Sequence, residues 1–261
     1  MKLFDSHCHL DDRSYENDLD AVVIRANAAG LRAMMVIGTG LESSRRAIKI
    51  SHMFDGLYAS VGIHPHDAER CDETKLAQLI QFAKDPRVKA WGETGLDFNR
   101  MYSPRKDQEH WLIRQLEISR EIELPVIFHE RDTQGRFLEI LDANWERHRT
   151  GVVHCFSGNA SELDAYLALG LFIGITGIVT IKGRGEQLRR LVLRIPAERL
   201  VVETDAPYLT PTPERNKHRR NEPAFVKTVL LKLARIREEA PEHLAETIWN
   251  NTCRLYRITR D

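Results

Sequence analysis

The sequence lacks any hydrophobic run that approaches the roughly 18 residues needed by a membrane-spanning helix. An acidic residue, Asp5, comes so early that we expect no signal peptide at the N-terminus. The four cysteines form no CxxC pair, which is typical of free thiols in a reducing compartment. We therefore expect a soluble cytoplasmic protein that does not bind membranes.

The sequence also lacks an excess of charge of either sign, because 38 basic residues balance 38 acidic ones. Nucleic-acid-binding proteins usually carry a basic excess, so any argument for nucleic acid must rest on local clusters of charge. The hydrophobic fraction of 42% is sufficient for a substantial core. At 261 residues the chain fits one large domain, and we expect a single domain over residues 1–261 that is a monomer.

Short apolar runs alternate with segments of helical spacing along the whole chain. For example, Leu19, Val22, Val23 and Ala26 follow the spacing of a helix with one buried face, and Gly30 stands where a C-terminal cap is expected. Such alternation predicts parallel strands joined by right-handed crossovers. Eight units predict a (β/α)8 barrel, with a doubly wound open sheet as the alternative. The predicted strands are residues 3–5, 32–38, 57–62, 88–92, 125–128, 151–153, 171–174 and 200–202.

Metal-ligating residue types follow six of these eight runs, and the predicted ligands follow five of them. In a parallel barrel the carboxyl ends of all strands open on one face, where such enzymes place their active sites. A single histidine at a strand end is more often structural, but six such residues at the same end of five strands indicate a shared site. Imidazoles and carboxylates together suit two divalent cations. The predicted metal ligands are His7, His9, Glu93, His129, His154 and Asp205.

Other histidines and two cysteines are given structural interpretations. We expect His66 to lie outside the metal ligands, since Pro65 disturbs the strand geometry beside it. Cys8 and Cys155 alternate with ligands and should pack away from the metals. The histidines in helical or loop segments are predicted to lie on the surface, and these are His52, His110, His148, His218 and His243.

Several stretches resemble, in order, the motifs of the TatD family of metal-dependent hydrolases, within the amidohydrolase superfamily. They include "DSHCHLD", "VGIHPHD", "GETGLDF", "PVIFHERD", "VVHCFSG" and "VVETDAPYLTP", and the resemblance extends from residue 5 to residue 223. It implies a distorted TIM barrel with a binuclear metal centre held by the six residues already named. It also implies that His64 contacts substrate. The basic stretch "ERNKHRRNEP" departs from the family pattern, which leaves the role of each basic residue there open.

The resemblance further implies a nuclease that removes nucleotides from the 3′ end of single-stranded DNA, with RNA as an alternative substrate. Basic residues after the seventh and eighth strands could hold phosphate locally in a neutral protein. Among them Lys182, Arg219 and Arg220 are the predicted phosphate contacts, whereas Arg189 and Arg190 are expected to be solvated helix residues.

The predicted reaction is metal-assisted phosphodiester hydrolysis. Two metals would lower the pKa of a bound water and neutralise the phosphoryl oxygens. Glu93 would bridge or orient the metals. Asp205 would ligate one metal and accept the proton of the attacking water, and His64 with Lys182 would hold the phosphate. The resemblance indicates magnesium, while the imidazole-rich ligand set also suits zinc or manganese.

Two other functions stay open at this point. The same ligands could serve an amide or ester hydrolase, such as a D-aminoacyl-tRNA deacylase, because a metal-activated water attacks carbonyl carbon as readily as phosphorus. A non-catalytic binding module is the less favoured alternative, since such a module would be expected to have lost ligands and this sequence keeps all six.

Overall fold

The computed structural model describes residues 1–259 and contains an eight-stranded parallel sheet in which each strand pairs with the next. All seven ladders are parallel. The (β/α)8 barrel predicted from the sequence is therefore confirmed, and the doubly wound alternative was wrong. The strands are β1 (Leu3–Cys8), β2 (Leu31–Val36), β3 (Leu57–Val61), β4 (Val88–Asp97), β5 (Val126–Arg131), β6 (Gly151–Val153), β7 (Phe172–Ile175) and β8 (Leu200–Val202).

The barrel is closed between β1 and β8 by a few bonds rather than a full ladder. A single bridge joins Cys8 to Ala206. The His9 amide donates to the Ala206 carbonyl at 2.7 Å, and the Asp205 amide donates to the His7 carbonyl at 2.9 Å. This short seam lies beside three of the predicted metal ligands.

Helices cover the outside of the barrel. The first ends at Gly30, whose φ of +107° confirms the predicted cap. No helix within residues 1–259 is long and apolar enough to cross a membrane. The helices are α1 (Leu19–Ala29), α2 (Leu41–Met53), α3 (Glu73–Phe82), α4 (Arg105–Glu121), α5 (Arg136–Asn144), α6 (Ala160–Ala168), α7 (Glu186–Leu191), α8 (Val226–Arg237) and α9 (Pro241–Leu255).

Alternate side chains of the strands form two apolar layers. The larger one lies between the strands and the helices. The smaller one gathers Phe4, Ile127 and Val201 from the strands, with Tyr256 after α9 packed among them. Because each of these strand residues precedes a predicted ligand in the chain, this layer lies beneath the polar carboxyl ends and supports them.

Three strands extend well beyond the ends that the sequence predicted. β1 continues from residue 5 to Cys8, β4 from residue 92 to Asp97 and β5 from residue 128 to Arg131. The polar residues in the extensions of β1 and β4 are buried, as His7 and Glu93 illustrate with exposures of 0% and 2%. The first polar residue after each of these apolar runs therefore did not coincide with the end of the strand. These polar side chains face a polar centre inside the fold instead of solvent.

Candidate metal centre

The six predicted ligands lie together at the carboxyl ends of five strands, around the carboxylate of Glu93. Its Oε1 lies 2.8 Å from Nδ1 of His129 and 3.5 Å from Nε2 of His154. Its Oε2 lies 3.4 Å from Nε2 of His7 and 4.0 Å from Nε2 of His9. The two oxygens of one carboxylate thus face two separate pairs of imidazoles.

Asp205 completes the group from the β8 side. Its Oδ1 lies 3.3 Å from Nε2 of His9 and 3.7 Å from Nε2 of His7. The backbone of Asp205 has a φ of +56°, a conformation that non-glycine residues adopt rarely and mostly where the surrounding structure requires it. The bond from its amide to the His7 carbonyl holds it there, so the carboxylate is kept beside the two histidines of β1.

Local irregularities of the strands bring two of these side chains inward. The β1–β2 register shifts between Asp5 and Cys8, around His7. The β4–β5 register shifts between Trp91 and Thr94, around Glu93. Such shifts re-aim a side chain relative to the regular alternation of a strand, and they are common next to active sites.

The donor set fits divalent cations. Nε2 of His7 and Nε2 of His9 are 3.3 Å apart, and ligand atoms within each of three overlapping trios lie within 4.8 Å of one another. Nδ1 of His7 is buried without a hydrogen-bond partner among the described residues, which is costly in a purely protein environment. The trios are His7, His9 and Glu93; Glu93, His129 and His154; and His7, His154 and Asp205.

The carboxylates and imidazoles of the group stabilise each other's charged forms. Burial alone would raise the pKa of Glu93, but the surrounding histidines, His154 first, hold it well below its usual value. Burial opposes the charge of His9, yet its hydrogen bond to Asp205 and the nearby carboxylates raise its pKa to about 9. Burial likewise opposes the charge of His129, whose bonds to Asp97 and Glu93 raise its pKa to about 9. A cation entering the site would replace these protons.

Two carboxylates that the sequence analysis did not assign lie behind the ligands. Oδ2 of Asp97 is 3.3 Å from Nε2 of His129. Oε1 of Glu203 is 3.0 Å from Nδ1 of His154, and an added Cβ on Gly174 would come within 2.7 Å of that carboxylate. Carboxylates in this position fix the orientation and tautomer of a ligating imidazole. The sequence signal for both was a second acid beside a predicted ligand, in "GETGLD" and "ETD".

His64 and His66 lie next to the group. Nε2 of His64 is 3.2 Å from Nδ1 of His129 and 3.5 Å from Oε1 of Glu93, and burial lowers the pKa of His64 to about 4. Nε2 of His66 lies 2.8 Å from Oδ2 of Asp97. His64, His66 and His129 form a further trio with metal-ligating spacing, so His66 lies nearer the centre than expected.

A cavity of about 980 Å³ opens above the centre. Five of the six predicted ligands line it together with His64, while His7 is buried beneath. Its lining does not include Lys182, Arg219 or Arg220. The arginines that do line it are Arg13, Arg46, Arg100, Arg131 and Arg184.

The side chain of Arg220 is engaged elsewhere. Its guanidinium binds the Asp18 carboxylate, with a shortest distance of 2.6 Å, and lies 4.6 Å from the centre of the Tyr15 ring. Arg220 therefore lies outside the cavity lining, to which Arg184 belongs, and its contact with phosphate stays a prediction. Contacts of Lys182 and Arg219 with phosphate stay predictions.

The residues given structural interpretations mostly lie where expected. All five histidines predicted for the surface are exposed. Cys8 is buried in the core, and its thiol donates to the Met35 carbonyl at 3.3 Å. Cys155 differs from the prediction because it lines the cavity. Its φ of +48° breaks the strand alternation on which that prediction rested.

Three comparisons with known proteins all find TatD-related proteins. The family model described as TatD related DNase matches residues 4–257. A protein named 3′-5′ ssDNA/RNA exonuclease TatD from Cronobacter sakazakii is 40% identical over 256 residues, which is 97% of each chain. A protein of the same name from Escherichia fergusonii is 39% identical over 260 residues, which is 98% of this chain and 100% of that one.

Solved structures resemble the whole chain. A TatD homologue from Escherichia coli K12 superposes with a TM-score of 0.91 at 30% identity, and the match covers 98% of each chain. A TatD family hydrolase from Entamoeba histolytica superposes with a TM-score of 0.90 at 25% identity, again over 98% of each chain.

Proposed function

Because the chain belongs to the TatD-related DNase family, we propose that it is a metal-dependent exonuclease that removes nucleotides from the 3′ end of single-stranded DNA, with RNA as a second substrate. The observation that carries this proposal is the group of six metal-ligating side chains at the floor of an open cavity. Relatives at about 40% identity across the chain are named as exonucleases, which favours this reaction over amide or ester hydrolysis and over a non-catalytic role.

We further propose that the centre holds two divalent cations. One would be bound by His7 and His9 with Oε2 of Glu93, and the other by His129 and His154 with Oε1 of the same carboxylate. Bound cations would lower the pKa of a water and would place positive charge beside the phosphoryl oxygens. Magnesium is the proposed working ion, and zinc or manganese would fit the imidazoles as well.

Asp205 is the proposed catalytic base. Burial would raise its pKa, but its bond to His9 and the charges of the nearby histidines keep that pKa below its usual value. The side chain is therefore a carboxylate at neutral pH and can ligate a cation. It is also 14% exposed towards the cavity, where it can accept a proton from the attacking water.

The cavity lining can hold the phosphate. His64 lies beside Glu93 and lines the cavity, so it can hydrogen-bond a phosphoryl oxygen. The lining carries five arginines and seven carboxylates, so its charge would become positive only with the two proposed divalent cations in place. Local charge of this kind raises the concentration of a phosphate chain at the site without a global basic excess.

The test is cleavage of 5′-labelled single-stranded DNA by metal-stripped protein to which magnesium, manganese or zinc is restored. We expect metal-dependent shortening by single nucleotides from the 3′ end. Asp205→Asn should lower turnover by about 10²–10⁴-fold, because it removes a base and weakens a ligand. The fold of this variant should be preserved, as judged by circular dichroism.

Asp142→Asn serves as the matched control, since Asp142 is exposed on α5 and should leave cleavage unchanged. Protein shown to bind two metals that cleaves no DNA or RNA with any ion would overturn the proposed function. Aminoacyl-tRNA would then be the next substrate to try.

A further inference from the structure

Two tyrosines stand out among the aromatic side chains of residues 1–259. Tyr102 is 62% exposed and Tyr208 is 54% exposed, whereas the other Phe, Trp and Tyr side chains of that range are buried or partly buried. Both tyrosines line the cavity above the metal centre. Two exposed rings that line one cavity offer flat faces on which the bases of an unpaired strand can stack.

The two rings lie on opposite sides of the barrel mouth. Tyr102 follows β4 and Tyr208 follows β8, and strands four apart in a ring of eight are diametrically opposed. The Tyr208 ring is 5.9 Å from that of His9, and the Tyr102 ring is 4.7 Å from that of His66. The metal-ligating group therefore lies between them.

Two arginines of the cavity lining belong to the segment of Tyr102 or to the segment that Tyr208 contacts. Arg100 precedes Tyr102 by two residues. The hydroxyl of Tyr208 lies 3.5 Å from the carboxylate of Asp12, which is followed directly by Arg13. Aromatic rings and cations in the lining of one cavity are the combination with which proteins hold the bases and the phosphates of an unpaired strand.

We propose that Tyr102 and Tyr208 are two base-stacking positions, one on each side of the metal centre, so that the scissile phosphate lies between two stacked bases. One ring stacks on the base of the nucleotide that is released, and the other on the base of the nucleotide that becomes the new 3′ end. This assignment rests on the proposed nuclease function and adds to it the way in which the substrate is positioned. Because every base has a flat face, such positions accept any sequence.

The proposal also predicts a preference for single-stranded over double-stranded nucleic acid. Two bases can stack on rings at opposite sides of a cavity only if they are unpaired and separated from each other. A cavity of about 980 Å³ lies at the upper end of the roughly 300–1,000 Å³ typical of small-molecule sites, which leaves room for more than one small group. Duplex ends should therefore be poor substrates unless they fray.

The test combines protein variants with modified substrates. Tyr102→Ala and Tyr208→Ala should each lower kcat/KM on single-stranded DNA by roughly 5- to 150-fold, the effect of losing one base stack, mainly through KM. The matched Tyr→Phe variants should retain nearly full activity because they keep the ring. Leu193→Ala is the control outside the cavity, since Leu193 is 60% exposed and is not part of the lining.

The same variants are then assayed on oligonucleotides that lack either the terminal or the penultimate base. We expect each alanine variant to match the wild type on the substrate that lacks its base and to fall behind it on the other. An equal loss on all substrates, a Phe variant as weak as its Ala counterpart, or no loss in any variant would overturn the stacking positions. Wild-type protein that cleaves no oligonucleotide would overturn the proposed function together with this assignment.

Discussion

For single residues, the chemistry of the centre depends on which nitrogen of each imidazole faces the cations. The Glu203 carboxylate accepts from Nδ1 of His154 and so directs Nε2 towards Glu93. It also accepts from the Cys155 amide and from the Ser6 hydroxyl. A carboxylate this well anchored fixes the ring of His154 before any metal binds, which reduces the entropy lost on binding.

We predict that Glu203→Gln weakens metal binding by about 10- to 100-fold, the usual effect of removing a carboxylate behind a ligating histidine. The amide is nearly isosteric, so the fold should be preserved. Isothermal titration of metal-free protein with zinc measures the change. Glu198→Gln, at an exposed position, is the control. Unchanged affinity in the Glu203→Gln variant would show that Glu203 has only a packing role.

The sequence was sufficient to predict that these six side chains lie together, because each follows an apolar run at the same end of a parallel barrel, whereas their binding of metal stays a prediction. It did not identify Asp97 or Glu203 as orienting groups, since their role depends on which atom of a neighbouring imidazole they meet. The phosphate contacts of the basic residues stay predictions. Arg220 is bound to Asp18, a partner 202 positions away in the chain that no local pattern reveals.

Among the glycines of the strands, Gly95 of β4 has the least space for a side chain, because β5 lies directly beside it. Gly95 has a φ of +154°, and an added Cβ would overlap the carbonyl oxygen of His129 on β5. Both strands carry predicted ligands, so their separation would disturb the centre as well as the barrel. The apolar runs predicted all eight strands, but the extension of β4 to this glycine was not visible in the hydrophobic pattern.

We predict that Gly95→Ala lowers the free energy of unfolding by about 3 kcal/mol or more, because the clash is with backbone that cannot rotate away. Urea denaturation measures the loss. Gly135→Ala is the matched control, since Gly135 also has positive φ, at +88°, but has nothing within 4 Å of the added Cβ. It should cost only about 1–2 kcal/mol. Equal losses in the two variants would mean that φ, rather than the close approach to β5, decides the cost.

In the molecule as a whole, the metal centre and the seam of the barrel coincide. The proposed ligands come from β1 and β8, which flank the seam, and from β4, β5 and β6 across the barrel. A single backbone bridge, supported by side-chain hydrogen bonds of Asp5 and Ser6, joins β1 to the β8 side, whereas the other neighbouring strands share ladders. Cations bound by His7, His9 and Asp205 would therefore link the two edges that the backbone joins least.

We predict that removing the metals destabilises the protein unevenly. Ions at a hundredfold excess over their Kd stabilise the fold by about 2.7 kcal/mol per site, so a chelator should lower Tm. The seam should respond most, and hydrogen exchange of the His9 and Asp205 amides should accelerate more on chelation than that of Ala59, which donates to Arg87 far from the centre. Asp205→Asn should reduce the difference between metal-bound and metal-free exchange at the seam. If chelation accelerates the exchange of all three amides equally, the metals stabilise the whole barrel and do not stabilise the seam in particular.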